Sequence, residues 1–331
     1  MRERGEFERI RDIVAALPGG EGVVVGPGDD AAVLRTDGAR DLVVTTDTFV
    51  EGRHYRRDLR DAAAIGARLA AANVSDLAAM AARPRWALVS CVAPRDADAA
   101  WLHDVELACA RSLDAAGAPV VGGNLASGDG PVAFTVTLIG DVARGAHWTR
   151  AGARAGDVLA LTGFTGHAGA ALALALAAQP PSFAAVPAPL AARWASPPSR
   201  VAIAAALAAT GGVHACLDVS DGLAGDLAHL CESSGVGAVV RDDAFAGDEA
   251  LAAAARALGA DEASLRYGAS DDYELLLAIA PGAWDACARA ARDAGGALLA
   301  IGACTAEREQ VRERADGSRE PMRGAGWNHF A

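Results

Sequence analysis

Asp218-Val219-Ser220-Asp221-Gly222-Leu223 separates an apolar run, residues 214–217, from a helical pattern over 224–232. That strand-turn-helix order reads as an α/β chain, and it sets two carboxylates and a hydroxyl at the end of a strand. Asp218 and Asp221 stand three residues apart with glycine next, so both carboxylates can converge on one hard cation while Gly222 frees the backbone. Mg²⁺ suits such a set.

Carboxylates recur at the ends of other apolar segments, in Gly28-Asp29-Asp30, Thr45-Thr46-Asp47, Asn73-Val74-Ser75-Asp76 and Asp271-Asp272-Tyr273-Glu274. Taken singly, each reads as readily as a helix N-cap or an Asx turn. Like charges gathered in one fold need a compensating cation, so the repeated pattern predicts a site for several metal ions.

The chain has 331 residues, 52% of them hydrophobic, enough for two globular units and a sizeable core. A net charge of −12 argues against a nucleic-acid footprint or an anionic-membrane surface, both of which need clustered positive charge. No lysine occurs anywhere, which excludes P-loop, protein-kinase, pyridoxal and Schiff-base chemistry. Phosphates would have to be handled by metal and arginine. The six cysteines are scattered without a CxxC pair and read as buried hydrophobes of a reducing compartment. A charged N-terminus and a longest Ala/Leu run of only residues 168–178 predict neither a signal peptide nor a membrane span, so a cytoplasmic location is expected.

Strand-like runs at 41–50, 86–92, 118–121 and 132–142 alternate with helical patterns at 61–81 and 96–116. A second block repeats the style, with strands at 157–162, 215–219, 237–240, 273–280 and 298–302 and helices at 166–178, 199–210, 223–234, 248–258 and 284–294. The Gly- and Arg-rich stretch 141–156 marks the junction, giving units 1–142 and 143–331. The Pro-rich segment 179–198 reads as a connection inside the second unit, and 307–323 is the one stretch with a disordered composition. Gly163-Phe-Thr-Gly166 before a helix offers either a phosphate cradle or a plain strand-to-helix turn.

In order, the chain carries Gly5-Glu6-Phe7, Gly26-Pro-Gly-Asp-Asp-Ala-Ala-Val33, Thr45-Thr-Asp-Thr-Phe-Val-Glu-Gly-Arg-His54, Asn73-Val-Ser-Asp-Leu-Ala-Ala-Met80, Gly122-Gly-Asn124, Thr149-Arg-Ala-Gly-Ala-Arg-Ala-Gly-Asp157, the Asp218 motif, Asp271-Asp-Tyr-Glu-Leu275 and Gly326-Trp-Asn-His-Phe330. This ordered set resembles the thiamine-monophosphate kinase family, within the superfamily of aminoimidazole ribonucleotide synthetase. The resemblance implies a two-domain α/β (α+β) fold of the synthetase type whose N-terminal sheet forms a homodimer interface. It implies too that ATP and thiamine monophosphate are the substrates, several Mg²⁺ ions the cofactors, and direct phosphoryl transfer the reaction.

By the same resemblance, Asp30, Thr45, Thr46, Asp47, Asp76, Asn124, Asp218 and Asp221 would be metal ligands, with Asp218 and Asp221 carrying the catalytic role. Gly123, Asn124, Arg150 and Ser220 would contact the nucleotide, and His54, Asp271 and Trp327 the acceptor. Two departures stand out. Asn124 replaces the family's usual aspartate, and Ala269-Ser270-Asp271 replaces its usual Gly-Gly-Glu. The first leaves open a nucleotide-binding protein without catalysis, and the second another small-molecule acceptor.

Overall fold

The computed structural model of the chain describes residues 22–322. Trp327, with its motif at 326–330, and Gly5-Glu6-Phe7 lie outside the described residues.

The first unit is a six-stranded sheet in the order β1-β2-β3-β6-β4-β5. Its strands are β1 (Val23–Val25), β2 (Ala32–Arg35), β3 (Arg40–Val50), β4 (Arg83–Ala93), β5 (Val120–Ser127) and β6 (Ala133–Ala143). Helices α1 (Ala62–Ala79) and α2 (Ala99–Ala115) cover one face. Asp61 caps α1, its carboxylate accepting the Ala64 N–H at 2.8 Å, and the alanine-rich run that follows favours the helix.

On β3 the side-chain period of two decides which groups can meet. Asp41, Val43, Thr45 and Phe49 are buried on one face, whereas Thr46 and Thr48 lie on the other, hydroxyl to hydroxyl at 2.9 Å with Thr137 and Thr135 of β6. Thr45 and Asp47 therefore point together toward α1.

The second unit is a seven-stranded sheet, β13-β12-β9-β11-β7-β10-β8. In chain order come β7 (Val158–Leu161), α3 (His167–Ala177), α4 (Ala188–Ala195), α5 (Val201–Ala208), β8 (Val213–Val219), α6 (Leu223–Ser234), β9 (Gly237–Arg241), α7 (Glu249–Leu258) and α8 (Glu262–Tyr267). They are followed by β10 (Glu274–Ile279), α9 (Trp284–Asp293), β11 (Leu299–Thr305), β12 (Gln310–Glu313) and β13 (Arg319–Pro321). The helical stretch α4 occupies the middle of the Pro-rich connection. The β12–β13 hairpin occupies the segment expected to be disordered, so that expectation does not hold: pairing to β9 supplies the order its composition lacks.

Strand β8 is the hinge of the architecture. Its Ala215, Leu217 and Val219 pack with Leu223, Leu227 and Leu230 of α6, while Cys216 packs with Ile203, Leu207, Cys287, Ala291 and with Ala78 and Ala79 at the end of α1. Asp218 falls on the Cys216 face by the same alternation. It thus faces α1 and the first unit, and β8 delivers its last carboxylate to the junction.

Candidate active site between the two sheets

Three carboxylates from three elements converge there. Oxygens of Asp30, Asp76 and Asp218 all lie within 4.8 Å of one another. The Thr45 hydroxyl donates to Asp76 Oδ2 at 2.6 Å, and Arg150 Nη2 donates to Asp30 Oδ1 at 2.7 Å. The Arg150 backbone N–H donates to both oxygens of Asp29 at 3.3 and 3.2 Å, which anchors that arginine beside the cluster. Asp30 Oδ2 and Asp218 Oδ2 are buried without a hydrogen-bond partner. Buried carboxylate oxygens left bare are costly, and together with three converging anions they fit a hard divalent cation with oxygen ligands.

Electrostatics agree. Burial pushes Asp30 up to about 8 and Asp218 up to about 6, and it holds Asp76 well above the ordinary carboxylate range with the Asp47 charge adding to it. Between pH 3.8, the ordinary value, and about 8, the folded chain therefore holds protons that the unfolded chain releases. Stability of the metal-free protein falls as pH rises through that window. Thermal melts should show it, and Mg²⁺ should raise Tm more at pH 8 than at pH 6; a Mg²⁺ effect equal at both would contradict the assignment.

The turn that presents Asp218 and Asp221 is built by Asp226, which sequence reasoning passed over. Its Oδ2 accepts three successive backbone N–H groups, from Ser220 at 3.2 Å, Asp221 at 3.1 Å and Gly222 at 3.0 Å. Gly222 has φ +114, and a Cβ there would collide with the Gly268 carbonyl, so only glycine lets the turn approach the 268–269 loop. An aspartate in the first turn of a helix reads as an ordinary dipole partner, which hid the role of Asp226.

Two cavities meet over this cluster. One, about 360 Å³, is lined by Asp30, Thr45, Thr46, Arg150, Asp226 and His229 among others. The other, about 600 Å³, is lined by His54, Leu172, Leu176, Trp194, Asp271 and Tyr273 among others. Asp47, Asp76, Asp218, Ser220 and Asp221 line both. Thr46 lines the smaller cavity while its hydroxyl is turned to Thr137, so an oxygen offered from Thr46 beside Asp47 would be its backbone carbonyl rather than that hydroxyl. Burial lowers His229 and favours its neutral form, and this residue too was not foreseen.

In the larger cavity His54 Nδ1 accepts the Val50 N–H at 3.0 Å, which leaves Nε2 to carry the proton of the neutral ring. Its ring is tilted against Phe49 at 5.3 Å. Asp271 pairs with Arg68 of α1 and still lines the cavity.

The residues following Asp271 each serve a different structural task. Asp272 accepts the Gly166 N–H at 2.6 Å and the Ala168 N–H at 2.9 Å. A carboxylate of the chain itself thus fills the start of α3, and the Gly163–Gly166 stretch is a turn rather than a phosphate cradle. Tyr273 adopts φ +54, a left-handed backbone that costs a non-glycine residue about 1–3 kcal/mol, and its N–H is held by the Val219 carbonyl at 2.8 Å. Glu274 is fully buried with Arg193, Arg200 and Thr162.

Gly123 and Asn124 do not join the site within one chain. They lie on the exposed edge strand β5, three strands from β3, about 14 Å by strand spacing. A Cβ at Gly123 would collide with the Val89 carbonyl, so close approach to β4 explains that glycine.

Residues 28–142 match the family model of AIR synthase related proteins, N-terminal domain, and residues 154–313 match the corresponding C-terminal domain. A thiamine-monophosphate kinase of Mycobacterium tuberculosis is 35% identical over 302 residues, covering 86% of this chain and 84% of the relative. Among solved structures, AaThiL complexed with AMPPCP and TMP superposes with a TM-score of 0.85 at 26% identity, covering 100% of this chain and 98% of the other. Thiamine-monophosphate kinase from Stenotrophomonas maltophilia K279a gives 0.75 at 32% identity, over 96% and 98%. Two-domain fold, ordered motifs and full-length similarity coincide: the chain belongs to the thiamine-monophosphate kinase family of AIR synthase related proteins.

Proposed function

We propose that this chain transfers the γ-phosphoryl group of ATP to the phosphate of thiamine monophosphate, yielding thiamine diphosphate and ADP. One observation carries the reading: two cavities share a wall of carboxylates, so two anionic substrates would meet over a cation-binding surface. Family membership and the relatives' activity support it.

Asp30, Asp76 and Asp218 would hold divalent cations, with Asp47 and Asp221 on the shared wall beside them. Mg²⁺, when bound, supplies the charge neutralisation that lets two polyanions approach on an acidic protein. The chain's own residues do the rest by positioning. Arg150, held by Asp29 and Asp30, offers its guanidinium to phosphate oxygens in the smaller cavity, and Ser220 contributes at the boundary of the two. In the larger cavity His54 donates from Nε2, and Asp271 with the apolar wall of Leu172 and Leu176 receives the organic part of the acceptor. An acceptor phosphate oxygen then forms the new bond to Pγ as the bond from Pγ to the β-bridging oxygen breaks.

The units 1–142 and 143–331 contribute one wall each. We assign the homodimer contact to the face of the first sheet opposite α1 and α2, where Trp86, Leu88 and Val92 of β4 are exposed at 37–44%. Such a contiguous apolar face suits a partner surface, and it would bring Gly123 and Asn124 to the contact. Among the described residues no helix is long and apolar enough to cross a membrane.

An acceptor comparison tests the reading. With Mg²⁺ and ATP, thiamine diphosphate is expected from thiamine monophosphate and no phosphorylated product from thiamine. ATP consumption that depends on some other acceptor would replace the assignment.

A further inference from the structure

Arg68 sits in the middle of α1 with 1% exposure, a charge buried in a helix half of whose residues are alanine. Residues 68, 72 and 76 follow a four-residue spacing and share one helix face. Ala72 and Asp76 line the larger cavity, whereas Arg68 touches neither cavity and reaches past it to the opposite wall.

Its guanidinium holds that wall at several points. Nη1 donates to the Trp194 carbonyl, and Nη2 donates to the Asp271 carbonyl at 3.1 Å and pairs with the Asp271 carboxylate. The guanidinium carbon lies 4.7 Å from the Trp194 ring centre and 5.4 Å from that of Tyr273. Arg60 stands over the same indole at 5.0 Å, so two arginines of the first unit grip Trp194 of the second. The loop so held contains Tyr273 with its left-handed backbone, a conformation that persists only where the surroundings over-determine it.

We infer that Arg68 is the positioning residue of the acceptor site: it fixes the 269–273 loop, and Asp271 with it, at a set reach from the carboxylates. A fully buried guanidinium is costly unless its donors are matched; Nη1 and Nη2 have partners while Nε is buried without one, and the planar fork allows few arrangements of those partners. One geometry of the loop is thereby selected. The helix sets the reach, because Arg68 and Asp76 are eight residues apart on one rigid element, about 12 Å at 1.5 Å per residue. Asp271 keeps 39% side-chain exposure while bound to Arg68, so it remains available to the acceptor in the held position. The inference rests on thiamine monophosphate being the acceptor and extends that reading to how its subsite is kept in register.

Steady-state kinetics of the full-length protein with saturating Mg²⁺ test it, using Arg68→Met, Arg68→Lys, Asp271→Asn and the double variant Arg68→Met with Asp271→Asn. A misplaced loop should raise KM for thiamine monophosphate by about 10- to 100-fold in Arg68→Met. KM for ATP should stay within about twofold, Arg68→Lys should recover part of the loss, and the double variant should be no worse than Asp271→Asn alone, as expected of residues acting in one chain of contacts. Should Arg68→Met fail to fold, Arg68→Lys and Asp271→Asn carry the same KM comparison. Equal shifts in both KM values, or an unchanged acceptor KM in folded variants of an active protein, would overturn the role of Arg68. Absence of turnover in the unmodified protein would instead remove the acceptor assignment on which it stands.

Discussion

Asp218→Asn is expected to leave a folded protein whose kcat is lower by about 10²–10⁴-fold, the equivalent of several kcal/mol of lost charge stabilisation. The amide keeps the volume and one oxygen but removes the anion at the point where β8, α1 and the Asp30 turn meet. Because burial raises the Asp218 carboxyl to about 6, the ionised form is a burden on the metal-free fold at pH 8. The same substitution should therefore hold or raise Tm in the absence of Mg²⁺ at pH 8 while shrinking the Mg²⁺-induced rise. Activity lost with apo-stability kept is the signature of a ligand; activity and apo-stability falling together would mark Asp218 as a structural residue. Melts with and without Mg²⁺, alongside initial rates, read all of these quantities.

The largest stability effect is expected at Glu274. It is fully buried at the first position of β10, opposite Val219 of β8, and accepts from Arg200 Nε at 2.7 Å and Arg200 Nη2 at 2.5 Å, from the Thr162 hydroxyl at 2.5 Å, and from Arg193. Glu274→Ala leaves two largely buried guanidinium groups without their anion, a change that costs about 3–5 kcal/mol. By size scaling, that is a fall in Tm on the order of 10 °C. Burial alone would raise the carboxyl, but Arg200, Arg193 and Thr162 together hold it below its ordinary 4.5. Glu274 with its two arginines therefore contributes fully above that pH, and this contribution is lost as pH falls through the lowered value. Denaturation midpoints between pH 3 and 7 should show the unmodified protein losing stability at the acid end and Glu274→Gln losing less. A Glu274→Ala protein as stable as the original would show that the buried triad is not needed for the fold.

Much of this fold is legible in the sequence. The long strands β3, β4 and β6 and the helices α1, α2 and α6 announce themselves by period and by the turn residues around them. Strands β1, β2, β12 and β13 have three or four residues each, too few for a period to show, and they are ordered by pairing with longer neighbours. Helix α4 was masked by the prolines on both sides of it.

At the site, the Asp-rich turns were legible because their residue types recur at strand ends, and the fold does bring Asp30, Asp47, Asp76, Asp218 and Asp221 to one wall. What stayed hidden depends on direction rather than on residue type. Thr45 and Thr46 are adjacent in sequence, but a pleated strand turns their hydroxyls to opposite faces. Arg68 looks like any solvated arginine until α1 is packed against the second unit, and Asp226 looks like a helix-dipole carboxylate until three backbone N–H groups are seen pointing at it. The distance from β5 to β3 likewise follows from strand order, which the sequence does not display, and it sets Asn124 apart from the carboxylates of its own chain.

The most direct test follows the transferred atom. Protein is incubated with γ-³²P-ATP and thiamine monophosphate across a Mg²⁺ titration that begins in chelator, and the labelled products are separated. Label should appear in thiamine diphosphate, rise with Mg²⁺ from a chelator blank, and be nearly absent with Asp218→Asn. Label released only as inorganic phosphate, or thiamine diphosphate formed equally in chelator, would contradict transfer over a cation-bearing carboxylate wall.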